Sequence, residues 1–414
     1  MSSILASRSF YILSFIAASL IKVLLIPTYR STDFEVHRNW LAITHSLPLN
    51  RWYYDKTSQW TLDYPPLFAF FEYFLSFFAS KIDPNITTLT NLNYEAWTCV
   101  LFQRFSVIFA DLVYFIGSYL FLITFFKKTK ENINQFKILY LFMIFFPGLF
   151  LIDHVHFQYN GFLIGFLLIS LHYLFSKKPL SAAFWFAVCL CFKQIFIYTL
   201  IPFFIILLID CTTDYVLLSL NSFWKLFATF SAGMSVFLIS FLPFLKDLPQ
   251  IFARLFPFKR GLLHNYPAPN FWSLYAGIDL IISRIIFKKS SPLTSGISTR
   301  EILNYLPLPS LFFTLILSVV PGIVLGLNLI RNKKFNPSHL FAYFQSSQLL
   351  FFYFAYHAHE KALLLTTVPG IIMMFSEKSK KFVNFGLITC TTSCIVIFPL
   401  LFEISEVLLR IPIN

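Results

Sequence analysis

Four short polar segments contain the residues of this sequence that are best suited to chemistry. They are 30–40, 153–161, 254–272 and 357–361, and each combines ionisable or amide side chains within an otherwise apolar chain. Ionisable groups close to a bilayer are energetically costly, so they are candidates for function by default. Together they could supply a proton acceptor and cations for a phosphate group.

Asp33 is the candidate general base, because it follows the first apolar segment directly. A carboxylate just beyond a membrane span can deprotonate an acceptor hydroxyl that is held close to it. Glu35 would face about 200° away from Asp33 on a helix, so the two would not act as one dyad. Ser31, Thr32 or Asp33 could instead cap a helix over 34–46. The residues alone leave both roles of Asp33 open.

A basic stretch in segment 254–272 suits a phosphate or diphosphate group. Arg254 and Arg260 lie in a long loop where topology gives no reason for positive charge, and Arg can bind phosphate through two hydrogen bonds. Lys193 could add a cation at a membrane boundary. Lys193 and Arg260 could also extend towards lipid headgroups without any catalytic role.

The two histidine pairs, His154/His156 and His357/His359, have a spacing of two residues. This spacing suits an extended segment and does not place both rings on one helix face. The sequence has no HExxH motif, because position 363 is Leu, and it has no DxD motif. Hydrogen bonding or phosphate contact is therefore favoured over metal binding.

The composition predicts a polytopic membrane protein. The 414 residues are 57% hydrophobic and 12% charged, whereas about 25% of residues are charged in soluble domains. The net charge of +13 comes largely from short basic loops, so a nucleic-acid partner is not expected. The six cysteines lie in or at the ends of apolar runs without a CxxC pair, and we expect buried thiols.

About eleven apolar segments are long enough to be membrane-spanning candidates. They are 10–27, 100–126, 136–152, 162–175, 180–192, 195–209, 223–245, 308–330, 340–356, 362–375 and 383–402. The positive-inside rule places the short basic loops in the cytoplasm and the polar loops, including 28–98 and 246–307, on the far side. Helices over 67–79 and 274–287 would be interfacial or re-entrant. The whole chain, 1–414, is expected to form one membrane-embedded domain.

Five motifs, in order, resemble those of the dolichyl-phosphate-glucose-dependent α-1,3-glucosyltransferases of the endoplasmic reticulum. They are Asp33-Phe34-Glu35 with Arg38 and Trp40, Tyr64-Pro65-Pro66, His156-Phe157-Gln158-Tyr159-Asn160, Arg254-Leu255-Phe256-Pro257 with Arg260-Gly261, and His359-Glu360-Lys361. The resemblance implies an all-α GT-C fold, a luminal active site, no cofactor and no obligatory metal. It also implies a dolichyl phosphate glucose donor and a dolichyl-diphosphate oligosaccharide acceptor.

Within that family, segment 254–272 looks more similar to the second glucosyltransferase, which acts on Glc1Man9GlcNAc2-PP-dolichol. The alternatives are the first glucosyltransferase, acting on Man9GlcNAc2-PP-dolichol, a related lipid-dependent mannosyltransferase, and a polytopic transporter. The resemblance makes Asp33 the catalytic base. Residue chemistry and motif position together predict substrate contacts, without assigning each one to a particular phosphate, for Glu35, Arg38, Tyr64, His154, His156, Gln158, Asn160, Lys193, Arg254, Arg260, His357, His359, Glu360 and Lys361.

Overall fold

All regular secondary structure in the described residues is helical. A computed structural model describes residues 8–129, 133–212, 219–263, 268–286, 303–332, 336–376 and 379–400, and no strand occurs in these ranges. The longer helices are α1 (Arg8–Leu24), α2 (Thr32–Ser46), α3 (Pro66–Ile82), α4 (Trp97–Thr129), α5 (Ile133–Ile144), α6 (Asn160–Phe175), α7 (Pro179–Phe192), α8 (Leu200–Cys211), α9 (Leu220–Phe241), α10 (Leu248–Leu255), α11 (Phe271–Ile285), α12 (Leu311–Arg331), α13 (Pro337–Phe354), α14 (Thr367–Ser376) and α15 (Lys380–Ile395).

Five helical stretches of the described chain are long and apolar enough to cross a membrane, judged by length and composition. They are Trp97–Phe125, Ile133–Val155, Gln194–Cys211, Leu220–Arg260 and Leu311–Arg331. Three shorter apolar helices are Ser9–Leu24, Asn160–Phe175 and Pro179–Phe192. The other predicted spans also coincide with helical segments, as far as the described residues extend. The count of about eleven spans stays a prediction.

The two helices that were predicted to be interfacial or re-entrant are present as α3 and α11. Neither belongs to the stretches that are long and apolar enough to span, among the residues described. Pro66 opens α3, at a position where its missing N–H costs no helical hydrogen bond.

The helices form two compact units. The first comprises Met1–Phe196, Leu207–Leu255 and Leu400–Asn414, and the second comprises Ile197–Ile206 and Phe256–Pro399. The expectation of one membrane-embedded domain over 1–414 stays a prediction.

In the first unit, α4 and α6 pack backbone against backbone at glycine residues. A Cβ atom on Gly117 would lie 2.4 Å from the Gly165 carbonyl oxygen, and one on Gly165 would lie 2.6 Å from the Tyr114 amide nitrogen. Small residues permit such close helix crossings in membrane proteins.

In the second unit, α12 packs against α13, and α14 packs against α15. A carboxylate fixes the chain that precedes α12. Asp279 on α11 accepts hydrogen bonds from the backbone N–H groups of Asn304, Tyr305 and Leu306 at 2.8, 2.9 and 2.8 Å. Burial alone would raise the pKa of Asp279, but these N–H groups hold it below its usual range.

All six cysteines lie in the described part of the chain, and all are buried without forming a disulfide. The prediction of buried thiols is confirmed.

Candidate active site

The first unit brings together two of the predicted polar segments, 30–40 and 153–161. The second of these begins as a π-helical turn, Phe150–Val155, and ends where α6 begins at Asn160. Between them Phe157 adopts a φ of 81°, which is unusual for a residue with a side chain. The backbone therefore turns sharply at the point where the sequence motif places His156, Gln158 and Asn160.

Asp153 stabilises this turn by capping α6. Its carboxylate accepts hydrogen bonds from the backbone N–H groups of Asn160 and Gly161, at 3.0 and 2.6 Å, and from Asn160 Nδ2 at 2.9 Å. A negative group at a helix N-terminus satisfies donors that have no helical partner. Gly161 is required here, because a Cβ atom would lie 2.6 Å from Asp111 Oδ1 and 3.3 Å from Asp153 Oδ2.

Arg104 on α4 binds the same turn through its carbonyl groups. Nη1 donates to the His154 carbonyl at 2.7 Å, both Nη atoms donate to the Val155 carbonyl at 3.1 Å, and Nη2 donates to the Tyr29 carbonyl at 2.8 Å. The side chain is buried. Because one guanidinium binds both chain segments, it fixes the start of α2 relative to the turn.

Asp111, also on α4, lies in a buried ionic cluster. Lys22 Nζ lies 2.6 Å from Asp111 Oδ2, and His154 Nε2 lies 2.8 Å from the same oxygen. Asp111 thus joins two neighbouring elements, α1 through Lys22 and the π-helical turn through His154. In this structure the Nε2 atom of His154 contacts the Asp111 carboxylate. A contact between His154 and substrate stays a prediction.

Asp33 lies in the first turn of α2, and Ser31 is the capping residue. The Ser31 hydroxyl oxygen accepts a hydrogen bond from the Asp33 amide at 3.2 Å and donates to the His156 carbonyl. The alternative in which Asp33 caps the helix is therefore wrong. Its carboxylate instead accepts a hydrogen bond from Gln158 Nε2 at 2.5 Å, and His156 Nε2 lies 3.2 Å from the same Oδ2 atom. The side chain remains 21% exposed.

A chain of amide groups connects Asp33 with Lys193, which directly follows α7. Gln158 Oε1 accepts from Asn160 Nδ2 at 2.8 Å and from Lys193 Nζ at 3.5 Å. Lys193 Nζ also donates to Asn160 Oδ1 at 3.1 Å and lies 4.9 Å from the centre of the Tyr64 ring. Burial, together with the charge of Asp33 and other nearby carboxylates, raises the pKa of Tyr64. Five predicted site residues, with Asp33, thus form one cluster.

Glu35 and Arg38 form a pair on another face of α2. Arg38 donates to both Glu35 carboxylate oxygens at 2.7 Å and to the Ile86 carbonyl at 3.1 Å. This bidentate pair attaches α2 to the turn that follows α3. Direct substrate contacts by Glu35 and Arg38 stay predictions.

His37 and Glu72 pair between α2 and α3. His37 Nδ1 lies 2.7 Å from Glu72 Oε1, and both residues are buried. Burial raises the pKa of Glu72, whereas the hydrogen bond with His37 opposes this rise.

Arg254 on α10 lies in the first unit and holds the loop 53–61. Its guanidinium donates to the Tyr53 carbonyl at 3.1 Å, to Thr61 Oγ1 at 2.8 Å and to the Asp55 carbonyl at 3.5 Å. A phosphate contact by Arg254 stays a prediction.

The remaining predicted site residues lie in the second unit, where segments 258–263 and 357–361 meet. His357 donates its backbone N–H to the Leu262 carbonyl at 2.9 Å, and its Nδ1 lies 3.0 Å from the Gly261 carbonyl oxygen. Burial lowers the pKa of His357, and the charge of Arg260 contributes to this shift. The ring of His359 lies 5.7 Å from that of His357. Substrate contacts by Arg260, His357, His359, Glu360 and Lys361 stay predictions, and His264 lies outside the described residues.

In the described ranges, no group of three or more His, Cys, Asp or Glu side chains is placed to hold a metal ion.

Sequence reasoning missed several residues that position this site. Tyr29 shares a hydrogen bond with His156 Nδ1 at 3.0 Å, and nothing in its neighbourhood in the sequence indicates this. Arg104 and Lys22 gave a clearer signal, because charged residues inside apolar helices require partners. That signal identifies such residues but not the carbonyl or carboxylate groups that they bind.

Within the described residues, the fold and this cluster are those of a polytopic, helical membrane protein with a polar site beside the ends of apolar helices. Residues 18–413 match the family model described as the ALG6, ALG8 glycosyltransferase family. The chain belongs to this family of glycosyltransferases and has its GT-C fold, which confirms the resemblance seen in the sequence. Family membership decides against the transporter alternative.

Relatives with the same name occur in distant organisms. A Mus musculus protein named "Dolichyl pyrophosphate Glc1Man9GlcNAc2 alpha-1,3-glucosyltransferase" is 41% identical over 96% of this chain and 78% of its own length. An Arabidopsis thaliana protein of that name is 38% identical over 95% of this chain and 77% of its own length. A Drosophila melanogaster protein, named as a probable enzyme of this kind, is 41% identical over 92% of this chain and 75% of its own length.

The Asp111 cluster yields a prediction about stability. Asp111→Asn leaves the buried Lys22 ammonium without its charged partner, so the free energy of unfolding should fall by about 3–5 kcal/mol. Thermal or chemical unfolding of the detergent-purified protein measures this. Glu95→Gln, which breaks the exposed Arg30–Glu95 pair, is the control and should cost less than about 1 kcal/mol. Equal losses in the two variants would contradict the assignment.

Proposed function

We propose that this chain adds the second α-1,3-linked glucose during N-linked glycan precursor synthesis. Glucose would pass from dolichyl phosphate β-D-glucose to Glc1Man9GlcNAc2-PP-dolichol. The names of the relatives support the acceptor and the linkage. The observation that carries the mechanism is the geometry at Asp33, a partly exposed carboxylate that Gln158 and His156 contact at a single oxygen.

The change from a β-linked donor to an α-linked product requires inversion at the anomeric carbon. In a single displacement the acceptor hydroxyl oxygen forms a bond to C1 of glucose while the bond from C1 to the phosphate oxygen breaks. The electron pair of that bond leaves with dolichyl phosphate. Asp33 takes the hydroxyl proton, which is the role that a positioned general base fulfils.

The phosphate end of the donor requires cationic partners. In the first unit Lys193 lies on the same amide chain as Asp33, which supports its proposed contact with the donor phosphate. In the second unit Arg260 lies beside His357, and both types of side chain bind phosphate oxygens. We retain these residues, with His359, Glu360 and Lys361, as proposed substrate contacts.

Acceptor choice is the first test of this proposal. Purified protein supplied with dolichyl phosphate glucose should elongate Glc1Man9GlcNAc2-PP-dolichol and leave Man9GlcNAc2-PP-dolichol unchanged. Chromatography of the released glycans measures both reactions. Turnover of the Man9 acceptor alone would instead support the first glucosyltransferase.

Replacement of the base is the second test. Asp33→Asn retains the shape of the side chain but cannot accept the proton, so turnover should fall by about 10²–10⁴-fold while the protein still folds. Initial rates with the Glc1Man9 acceptor, together with a melting curve, measure this. Asp55→Asn, in the loop that follows α2, is the control and should retain near-normal rates. A near-normal rate in Asp33→Asn would exclude Asp33 as the base.

We place the enzyme in the endoplasmic reticulum membrane, with Asp33 on the luminal side. The short basic loops support this orientation, because Lys and Arg accumulate in cytoplasmic loops. The sequon Asn85-Ile86-Thr87 would then be luminal too, and Asn85 is exposed.

Thiol labelling in sealed microsomes tests this orientation. The six natural cysteines are buried and should give a low background. A membrane-impermeant maleimide should label Lys178→Cys in intact microsomes and Gln59→Cys only after detergent is added, since both positions are exposed and belong to opposite sets of loops. The reverse pattern would overturn the luminal assignment.

A further inference from the structure

The side chains of Tyr29, His156 and Asp33 form a series of polar contacts that ends at the proposed base. The Tyr29 hydroxyl donates to the Leu400 carbonyl and also lies 3.0 Å from His156 Nδ1. On the other side of the ring, His156 Nε2 lies 3.2 Å from Asp33 Oδ2. His156 is buried, and both of its ring nitrogens have protein partners.

The number of hydrogens on the Tyr29 hydroxyl and the His156 ring determines where the protons lie in these contacts. A phenol has one hydrogen, and Tyr29 donates it to Leu400. Towards His156 the phenol oxygen is therefore an acceptor, so Nδ1 carries a hydrogen. The contact between Nε2 and Oδ2 is then favourable only with one further proton between them, because two lone pairs would repel each other.

The second donor favours the charged form of this pair. Gln158 Nε2 donates to the same Oδ2 atom at 2.5 Å. The amide cannot rotate by 180° without loss, because its Oε1 accepts from Asn160 and Lys193. Two N–H groups converging on one oxygen stabilise a carboxylate more than a carboxylic acid.

We propose that His156 and Gln158 are positioning residues, and that His156 holds Asp33 as an oriented carboxylate through one N–H of an imidazolium whose other N–H is accepted by the Tyr29 hydroxyl oxygen. This proposal rests on the proposed function, in which Asp33 is the base. It differs from the sequence-based expectation, in which His156 and Gln158 contact substrate. The acceptor proton moves to Asp33, and His156 retains its own protons throughout.

Other charged groups surround the pair and are the same in every variant compared. Arg104 on α4 binds the carbonyl that precedes His156, and Lys193 after α7 contacts Gln158. Tyr64 lies within the influence of the Asp33 charge, and Asp63, Asp153 and Glu72 also act on Tyr64 from the neighbouring segments. A difference between variants therefore reports the substituted group.

The test is the pH dependence of kcat for substitutions at His156. His156→Ala removes the cation and the N–H donor, so kcat should fall by about 10–100-fold through misplacement of the base. Loss of the cation favours protonated Asp33, so the acid limb of the kcat profile should move up by about one pH unit. The KM for dolichyl phosphate glucose should change by less than about threefold.

Conservative variants separate the orientation of the Asp33 carboxylate from the effect of the positive charge on His156. His156→Gln still offers an N–H at the position of Nε2, so it should restore most of kcat at high pH but leave the acid limb shifted. Tyr29→Phe should move the limb in the same direction by a smaller amount. His45→Gln, on the same helix as Asp33 and exposed, is the matched control and should leave the profile unchanged.

Two results would overturn the proposal. A raised donor KM with an unmoved acid limb would make His156 a substrate contact. A lowered melting temperature and a lowered kcat, again with an unmoved limb, would make it purely structural.

A double-mutant cycle separates this proposal from the proposed function. In an Asp33→Asn background, His156→Ala should lower kcat by less than about threefold, because both residues then act through one lost group. A full additional loss in that background would contradict the positioning role. Near-normal turnover of Asp33→Asn alone would instead refute the proposed base.

Discussion

The contacts around Asp33 depend on one buried cation, Arg104. The π-helical turn Phe150–Val155 and the chain before α2 both leave backbone carbonyl groups without regular helical partners, and the Arg104 guanidinium binds three of them. Carbonyl groups in a low-dielectric interior are costly without donors, and so is an unsatisfied guanidinium. Because each satisfies the other, the turn that carries His156 and the helix that carries Asp33 are held in one arrangement, although the two residues are far apart in sequence.

On the other side of the turn, two carboxylates bind the N–H groups and the cation that need partners. Asp153 accepts the N–H groups at the start of α6, and Asp111 binds Lys22 and His154. Buried ion pairs add little net stability compared with apolar packing, but removal of one partner is strongly destabilising. Such pairs therefore disfavour alternative arrangements of the turn. We regard this specificity as the reason why the turn contains so many ionisable groups.

Much of this architecture follows from the sequence. The remainder could not be predicted from it, for a physical reason. Apolar run lengths predict the helices, and the order of the motifs indicates the family. The i,i+3 spacing of Glu35 and Arg38 could have predicted their ion pair, because these positions are neighbours on a helix. Tyr29, Arg104 and the partners of Gln158 were not predictable, because the contacts join segments whose separation is set by helix packing and not by local periodicity.

The environment of each carboxylate indicates which one can serve as the base. Glu35 is bound to Arg38, Asp153 accepts the N–H groups of α6, and Asp111 is paired with Lys22. Glu72 is fully buried beside His37, and burial raises its pKa, which disfavours its ionised form. Asp33 differs from these four because it combines partial exposure with N–H donors that favour a carboxylate. A base must be both ionised and reachable by a hydroxyl group, and among these five groups the N–H donors and partial exposure of Asp33 support the proposal that it is the base.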